Sequence, residues 1–229
     1  MKSLQERFEE DFRKKASKGE LDLEENVSEG DCKALTEIVT SVANKYMRIV
    51  EVGSWKGKST SVLGGIARSY EGRVYAIDHW RGNVDTWSYD IAEDYDVLSI
   101  FRNNIRLLGL DGVVLPMIMS SVEASQIFPD ESLDLVFLDA DHRYKYIKQD
   151  ILSWLPKVKH GGVMCGHDCE KYYLECSEEL KAQIDEHLND DVIHGLCHPG
   201  VVKAVYERFE SEYHIVDGSR IWYWKGVDN

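Results

Sequence analysis

An apolar strand that runs into a glycine turn and then into a helix limits this chain more than any other feature. Residues 48–60 read Arg-Ile-Val-Glu-Val-Gly-Ser-Trp-Lys-Gly-Lys-Ser-Thr. Ile49, Val50 and Val52 form a short strand that ends at Gly53, and a second glycine follows at Gly57. Beyond it Val62, Leu63, Ile66, Ala67 and Tyr70 recur on one face of a helix. Strand, glycine turn and helix N-terminus together make a nucleotide-shaped cradle, in which free backbone N–H groups face a ligand.

Three ligands compete for such a cradle. A phosphate loop needs four residues between its glycines, and Gly53 and Gly57 enclose three. One residue fewer leaves too few N–H groups to wrap a phosphate. A dinucleotide turn needs glycine where this chain has the bulky Trp55. What remains is a wide turn with an acidic residue, Glu51, just before it. That suits S-adenosylmethionine, which carries a sulfonium and an ammonium group and no phosphate. The next strand, Arg73 to Asp78, ends in a carboxylate. At that edge Asp78 is placed to accept both ribose hydroxyls of an adenosine, the competing reading being an ordinary turn or capping aspartate.

The pattern continues as strands alternating with helices: 113–119, 134–139 and 162–166 are strands, and Tyr144, Ile147, Ile151 and Trp154 mark a helix between the last two. Residues 79–96 are a long polar segment rich in Trp, Tyr and Asp. Tyr213–Val216 and Arg220–Trp224 flank Asp217-Gly218, a tight-turn signal. The expected fold is therefore α/β: a doubly wound, mostly parallel seven-stranded sheet with an antiparallel C-terminal hairpin. Residues 1–46 are expected as N-terminal helices that cap the domain or join two chains into a homodimer, with Leu4, Phe8 and Phe12 as the apolar stripe of helix 1–17. Residues 47–229 form the main domain, and 169–198 an insert that can serve as a lid.

A second constellation lies at the later strand ends. Asp139, Asp141 and His142 follow an apolar run, and His167, Asp168 and Cys169 follow the next. Neighbouring parallel strands deliver such residues to one cleft. Two carboxylates with water form a seat for Mg²⁺, which would bind and acidify substrate hydroxyls. His142 can take the proton of an attacking hydroxyl; the alternative is a helix cap or a pair with Asp141. Trp80, Arg81, Trp87 and Tyr89 are candidate acceptor contacts, with loop packing as the other reading. The late cysteines and histidines lack a Cys-x-x-Cys pair, so buried thiols and surface histidines are preferred over a zinc site.

The formal net charge of −14 and the lack of a basic stripe exclude a nucleic-acid substrate and favour a small molecule. The five cysteines, the charged start and the absence of a long apolar run point to a cytoplasmic protein with no membrane partner.

Taken together these motifs resemble the class I S-adenosylmethionine-dependent methyltransferases, in the branch of catechol and caffeoyl-CoA O-methyltransferases and the small bacterial sugar and antibiotic methyltransferases. The resemblance runs from about residue 47 to 225. It implies that Glu51, Gly53, Ser54, Trp55, Gly57 and Ser59 line the methionine end of the cofactor, that Asp78 holds the ribose and His79 packs by the adenine. Ser120, Ser121 and Val122 would reach the adenine edge. Asp139 and Asp168 match metal ligands, and Asp139 and His142 are the catalytic pair. Trp80, Arg81 and His167 would meet the acceptor. The chain departs from the branch at Cys169, where an asparagine ligand is usual, and at His142, where lysine is usual. The implied activity is metal-assisted O-methylation of a small hydroxylated acceptor. A phosphate-loop nucleotide hydrolase and a non-catalytic cofactor-fold binding protein are the competing readings.

Overall fold

The computed structural model describes residues 4–23, 26–194 and 196–226; residues 1–3 of the expected helix 1–17 and the side chains of Leu4 and Gln5 lie outside the described set. Along the chain run α1 (Leu4–Ser17), α2 (Glu29–Ser41), β1 (Arg48–Val52), α3 (Lys58–Ser69), β2 (Arg73–Asp78), α4 (Trp87–Asp94) and α5 (Val97–Leu107). Then come β3 (Val114–Ile118), α6 (Ser121–Ser125), β4 (Leu133–Leu138), α7 (Tyr144–Trp154), β5 (Val158–Gly166), α8 (Glu178–Glu186), α9 (Pro199–Phe209), β6 (His214–Ile215) and β7 (Trp222–Lys225). The seven strands form one sheet in the order β3-β2-β1-β4-β5-β7-β6. Neighbours from β3 to β5 are parallel, and β7 lies antiparallel to both β5 and β6. The doubly wound sheet and its closing hairpin are those expected from the sequence.

Strand order reverses between β1 and β4, so the loops after these strands part and leave a crevice at their C-terminal ends. Every residue of β4 is buried, as in a parallel strand covered on both faces. One apolar cluster lies under α1, α2, α3 and α5, and a second lies under α7, α8 and α9.

The apolar stripe of α1 turns inward. Phe8 is buried against Gly65 of α3, where an added Cβ would stand 2.3 Å from its ring, and Phe12 packs on the same core. A reciprocal capping box of Ser28 and Asp31 starts α2. The polar segment 79–96 contains a helix the sequence pattern conceals: α4 buries none of its residues, so it carries no apolar period to read. No helix among the described residues is long and apolar enough to cross a membrane.

Candidate active site

A cleft of about 1070 Å³ opens over the C-terminal ends of β1, β2, β4 and β5. One wall is the glycine turn. Gly53, at φ 86°, lies against the end of β4, and a Cβ there would stand 2.0 Å from the Asp139 carbonyl oxygen. Only glycine permits that approach. Gly57, at φ 90°, caps α3 with its bare Cα against the Phe101 ring. Between them Trp55 sits at φ 43°, a left-handed conformation that is costly for a bulky residue. Its backbone is held on both sides. Trp55 N–H donates to Asp78 Oδ2 (2.9 Å), and Trp80 Nε1 donates to the Trp55 carbonyl (2.8 Å).

Asp78 thus organises the turn as well as facing the cleft. Ser54 N and Trp55 N donate to Oδ2, and Trp80 N donates to Oδ1. A carboxylate has about four acceptor positions, so roughly one remains for a ribose hydroxyl rather than the pair expected from the sequence.

Glu51 needs a correction. It is fully buried beneath the turn, absent from the cleft wall, and accepts from the Ser54 and Thr60 hydroxyls. Burial pushes its carboxyl up to about 7, against the lowering effect of the hydroxyls of Ser59, Thr60 and Ser54. It supports the turn and does not line the methionine end. Ser54, Trp55, Ser59, His79, Ser120, Ser121 and Val122 do lie on the wall. Ser120 caps α6, and Ser121 donates its hydroxyl to Asp150 on α7. Asp150, missed in the sequence, is buried at this end of the cleft with its carboxyl pushed up to about 7 by burial.

The opposite wall is a network of charges. His142 Nδ1 lies 2.8 Å from Asp191 Oδ1, and its Nε2 faces Asp168 Oδ2 at 3.2 Å and Asp139 Oδ1 at 3.6 Å. His167, buried, points Nδ1 at the same two carboxylates (3.4 Å each) and Nε2 at Asp31 Oδ2 (3.1 Å). Arg220 Nη1 donates to Asp168 Oδ1 (2.7 Å) and its Nη2 lies 3.3 Å from Asp31. His198 stands with its ring 4.9 Å from that of His142 and its Nδ1 2.7 Å from Glu170. Gly200 makes that approach possible, since a Cβ there would lie 2.3 Å from the His142 carbonyl oxygen.

Burial alone would raise the Asp139 and Asp168 carboxyls, but the surrounding imidazoles hold both below the usual range. Asp191, against the same effect of burial, is held at about 2 by His142. Burial alone would lower His142 and His167, yet the carboxylates hold both well above the usual imidazole value.

The structure brings Asp139, His142, His167 and Asp168 together as expected, and adds Asp31, Asp191, His198 and Arg220. It separates others. Trp80 is buried against Phe101 in the core and Arg81 lies off the cleft wall, so neither faces an acceptor. Trp80 is consumed in holding Trp55. Tyr89 is also off the wall, whereas Trp87 is on it, edge-on to Trp55. His167 is buried but borders the cleft, with Nδ1 against both carboxylates. Cys169 is fully buried in the second cluster with its thiol toward the Lys171 carbonyl, away from the cleft. Cys165, Cys176 and Cys197 are likewise buried free thiols, while His167 and His198 are buried rather than superficial.

Residues 50–169 match the family model described as a methyltransferase domain, and the chain belongs to that family. The fold is shared with solved structures. One is a Staphylococcus aureus protein assigned provisionally as a caffeoyl-CoA O-methyltransferase (TM-score 0.61, 14% identity, 99% of this chain and 93% of that one). Another is a Bacillus cereus O-methyltransferase in complex with S-adenosylhomocysteine (TM-score 0.55, 20% identity, 100% and 92%). A Thermotoga maritima S-adenosylmethionine-dependent O-methyltransferase is similar too (TM-score 0.54, 15% identity, 89% and 67%). One curated relative that it matches is an uncharacterised Sinorhizobium fredii protein, 27% identical over 129 residues; the match takes in 54% of this chain and 13% of that longer protein.

Proposed function

We infer that the protein transfers a methyl group from S-adenosylmethionine to a hydroxyl of a small acceptor, with a divalent cation at the strand ends. The observation that carries this reading is the pairing, across one cleft, of an adenosine-shaped half with an acid–imidazole half. The phosphate-loop alternative has no support in a family of methyltransferase domains.

The cofactor supplies, when bound, an electrophilic methyl group. Around it the start of α3, from Lys58 to Thr60, offers first-turn backbone N–H groups to the methionine carboxylate, Asp78 offers its remaining acceptor position to the ribose, and Ser121, Val122 and Asp150 border the adenine end. Asp191 at Nδ1 orients the imidazole of His142 so that Nε2 faces Asp139 and Asp168; a cation on those carboxylates would remove the charge that keeps the imidazole protonated, and Nε2 could then take the acceptor proton. Asp31 and Arg220 fix His167 and Asp168 from behind.

The donor set suits a divalent ion. His142 Nε2 is buried and not aligned as a hydrogen bond to either carboxylate, and Arg220 occupies Asp168 Oδ1 while Oδ2 faces the imidazoles of His142 and His167. Asp139 and Asp168 would hold the ion, which would lower the pKa of a bound hydroxyl. With imidazoles beside the carboxylates and Cys169 turned away, the set is less matched to Mg²⁺, which prefers oxygen, than to an ion that also accepts nitrogen.

Large apolar side chains stand exposed at the mouth: Val84 (59%), Trp87 (48%), Val192 (52%) and Ile193 (54%). They favour a flat, apolar acceptor with a reactive hydroxyl, such as a phenol, over a sugar. The test is transfer of labelled methyl to matched panels of phenols and sugars. Phenol methylation that is lost in His142→Gln supports the reading; no transfer to any acceptor, or an unaffected variant, would overturn it.

A further inference from the structure

The insert carries a second group of ligand-type side chains, outside the cleft and unused by the mechanism. His187, Asp190 and His194 lie on one stretch of chain that leaves α8 and turns back toward α9. His187 Nδ1 and His194 Nε2 each stand 2.9 Å from the same oxygen, Asp190 Oδ2. Their rings are stacked, with centroids 3.7 Å apart and planes 7° from parallel. Local backbone bonds create this arrangement. His187 N–H closes α8 on the Gln183 carbonyl (3.1 Å), Asp190 N–H returns to the His187 carbonyl (3.1 Å), and His194 exchanges bonds with Cys197 (3.0 and 3.3 Å). The three side chains are therefore gathered by the loop itself.

His187 Nδ1 is hydrogen-bonded to Asp190, but the buried Nε2 of His194 makes no aligned hydrogen bond despite its short distance. The ligand atoms all lie within 4.8 Å of one another. A tetrahedral ion with bonds of about 2.0–2.2 Å separates its ligand atoms by roughly 3.3 Å and lies near the plane of each ligating ring, so the stacked imidazoles must turn apart about their soft ring torsions to close the set on Asp190. All three residues keep partial exposure, with side chains 31%, 45% and 29% accessible, so an ion can enter. Two imidazoles and one carboxylate select zinc or a similar first-row ion over Mg²⁺ or Ca²⁺.

We propose that His187, Asp190 and His194 form a zinc-type metal clamp, separate from the strand-end carboxylates, that fixes the loop forming one wall of the cleft. Asp191, Val192 and Ile193 lie between its ligands. Asp191 holds both the ring and the backbone N–H of His142 (2.8 and 3.0 Å) and the Asn83 amide (3.1 Å). Closing the clamp pins Asp191 from both sides. The effect on His142 rests on the methyltransferase reading, whereas ion binding does not.

The test is a Zn²⁺ titration of the full chain by calorimetry, comparing wild type with the double variant His187→Gln/His194→Gln and with Asp168→Asn. The expected result is that the double variant binds one equivalent fewer than wild type, and that Asp168→Asn keeps this equivalent whether or not methyl transfer is detected. Equal stoichiometry in wild type and double variant, or no zinc bound by wild type, overturns the proposal. A second measurement needs no variant. Zinc should protect His187 and His194 of the wild-type chain at least tenfold against diethylpyrocarbonate, mapped by mass spectrometry, and unchanged modification there counts against the clamp.

Discussion

From Gly53 to Ser59 the wall of the cleft is a single stretch of backbone gathered by one carboxylate, Asp78. Opposite, it is made of side chains from α2, the ends of β4 and β5, the insert and the final hairpin. The acids of the two halves also behave oppositely. Glu51 and Asp150 meet mainly hydroxyls, and burial pushes both up to about 7. Asp139, Asp168 and Asp191 meet imidazoles and are held down despite burial. The difference shows how a fold can separate binding from proton transfer. A backbone cradle depends on one carboxylate, Asp78, that gathers its N–H groups, whereas a charged network depends on every member having its partner.

The largest effect is expected from His142→Gln. Loss of a general base should lower kcat by roughly 10² to 10⁴ fold while leaving S-adenosylhomocysteine affinity within about twofold. Equal losses in both would mean that the two halves do not act separately.

Next comes the pH response of the two halves. Asp150 has a folded pKa of about 7, above its ordinary 3.8. Its contribution to stability is full below 3.8 and is lost as the pH rises through 7. Asp191, at about 2, contributes above 3.8 and loses that contribution as the pH falls through 2. Asp150→Asn should therefore gain stability on wild type at alkaline pH, by on the order of 4 kcal/mol, and not below about pH 4. Thermal unfolding across the range reads this directly, and parallel wild-type and variant curves would contradict it.

The smallest effect belongs to Trp80→Phe. It keeps an aromatic ring on Phe101 but removes the bond from Nε1 to the Trp55 carbonyl together with part of the buried indole. A cost of about 1–3 kcal/mol in denaturant unfolding is expected. A loss of acceptor turnover without loss of stability would return Trp80 to the acceptor site.

The same contrast explains what the sequence disclosed. The glycine turn, Asp78 and the strand-end Asp139 and Asp168 are legible because local spacing and strand alternation position them. Asp31, Asp191, His198 and Arg220 are not, because each enters the site through tertiary packing of an element whose local pattern says only helix cap, loop or turn. Asp31 looks like a capping residue and is one, but its other contacts reach Arg220 and His167. Trp80 and Glu51 err in the opposite direction, since adjacency to the turn suggested ligand contact while burial made them its supports.

The central claim is that the glycine-turn half binds an adenosyl cofactor independently of the charged half. Its most direct test is calorimetric titration of S-adenosylhomocysteine into wild type, Asp78→Ala and His142→Gln. The account predicts binding to wild type and His142→Gln alike, and binding roughly ten- to a hundredfold weaker in Asp78→Ala. No binding to wild type, or equal affinity in all three, would contradict it.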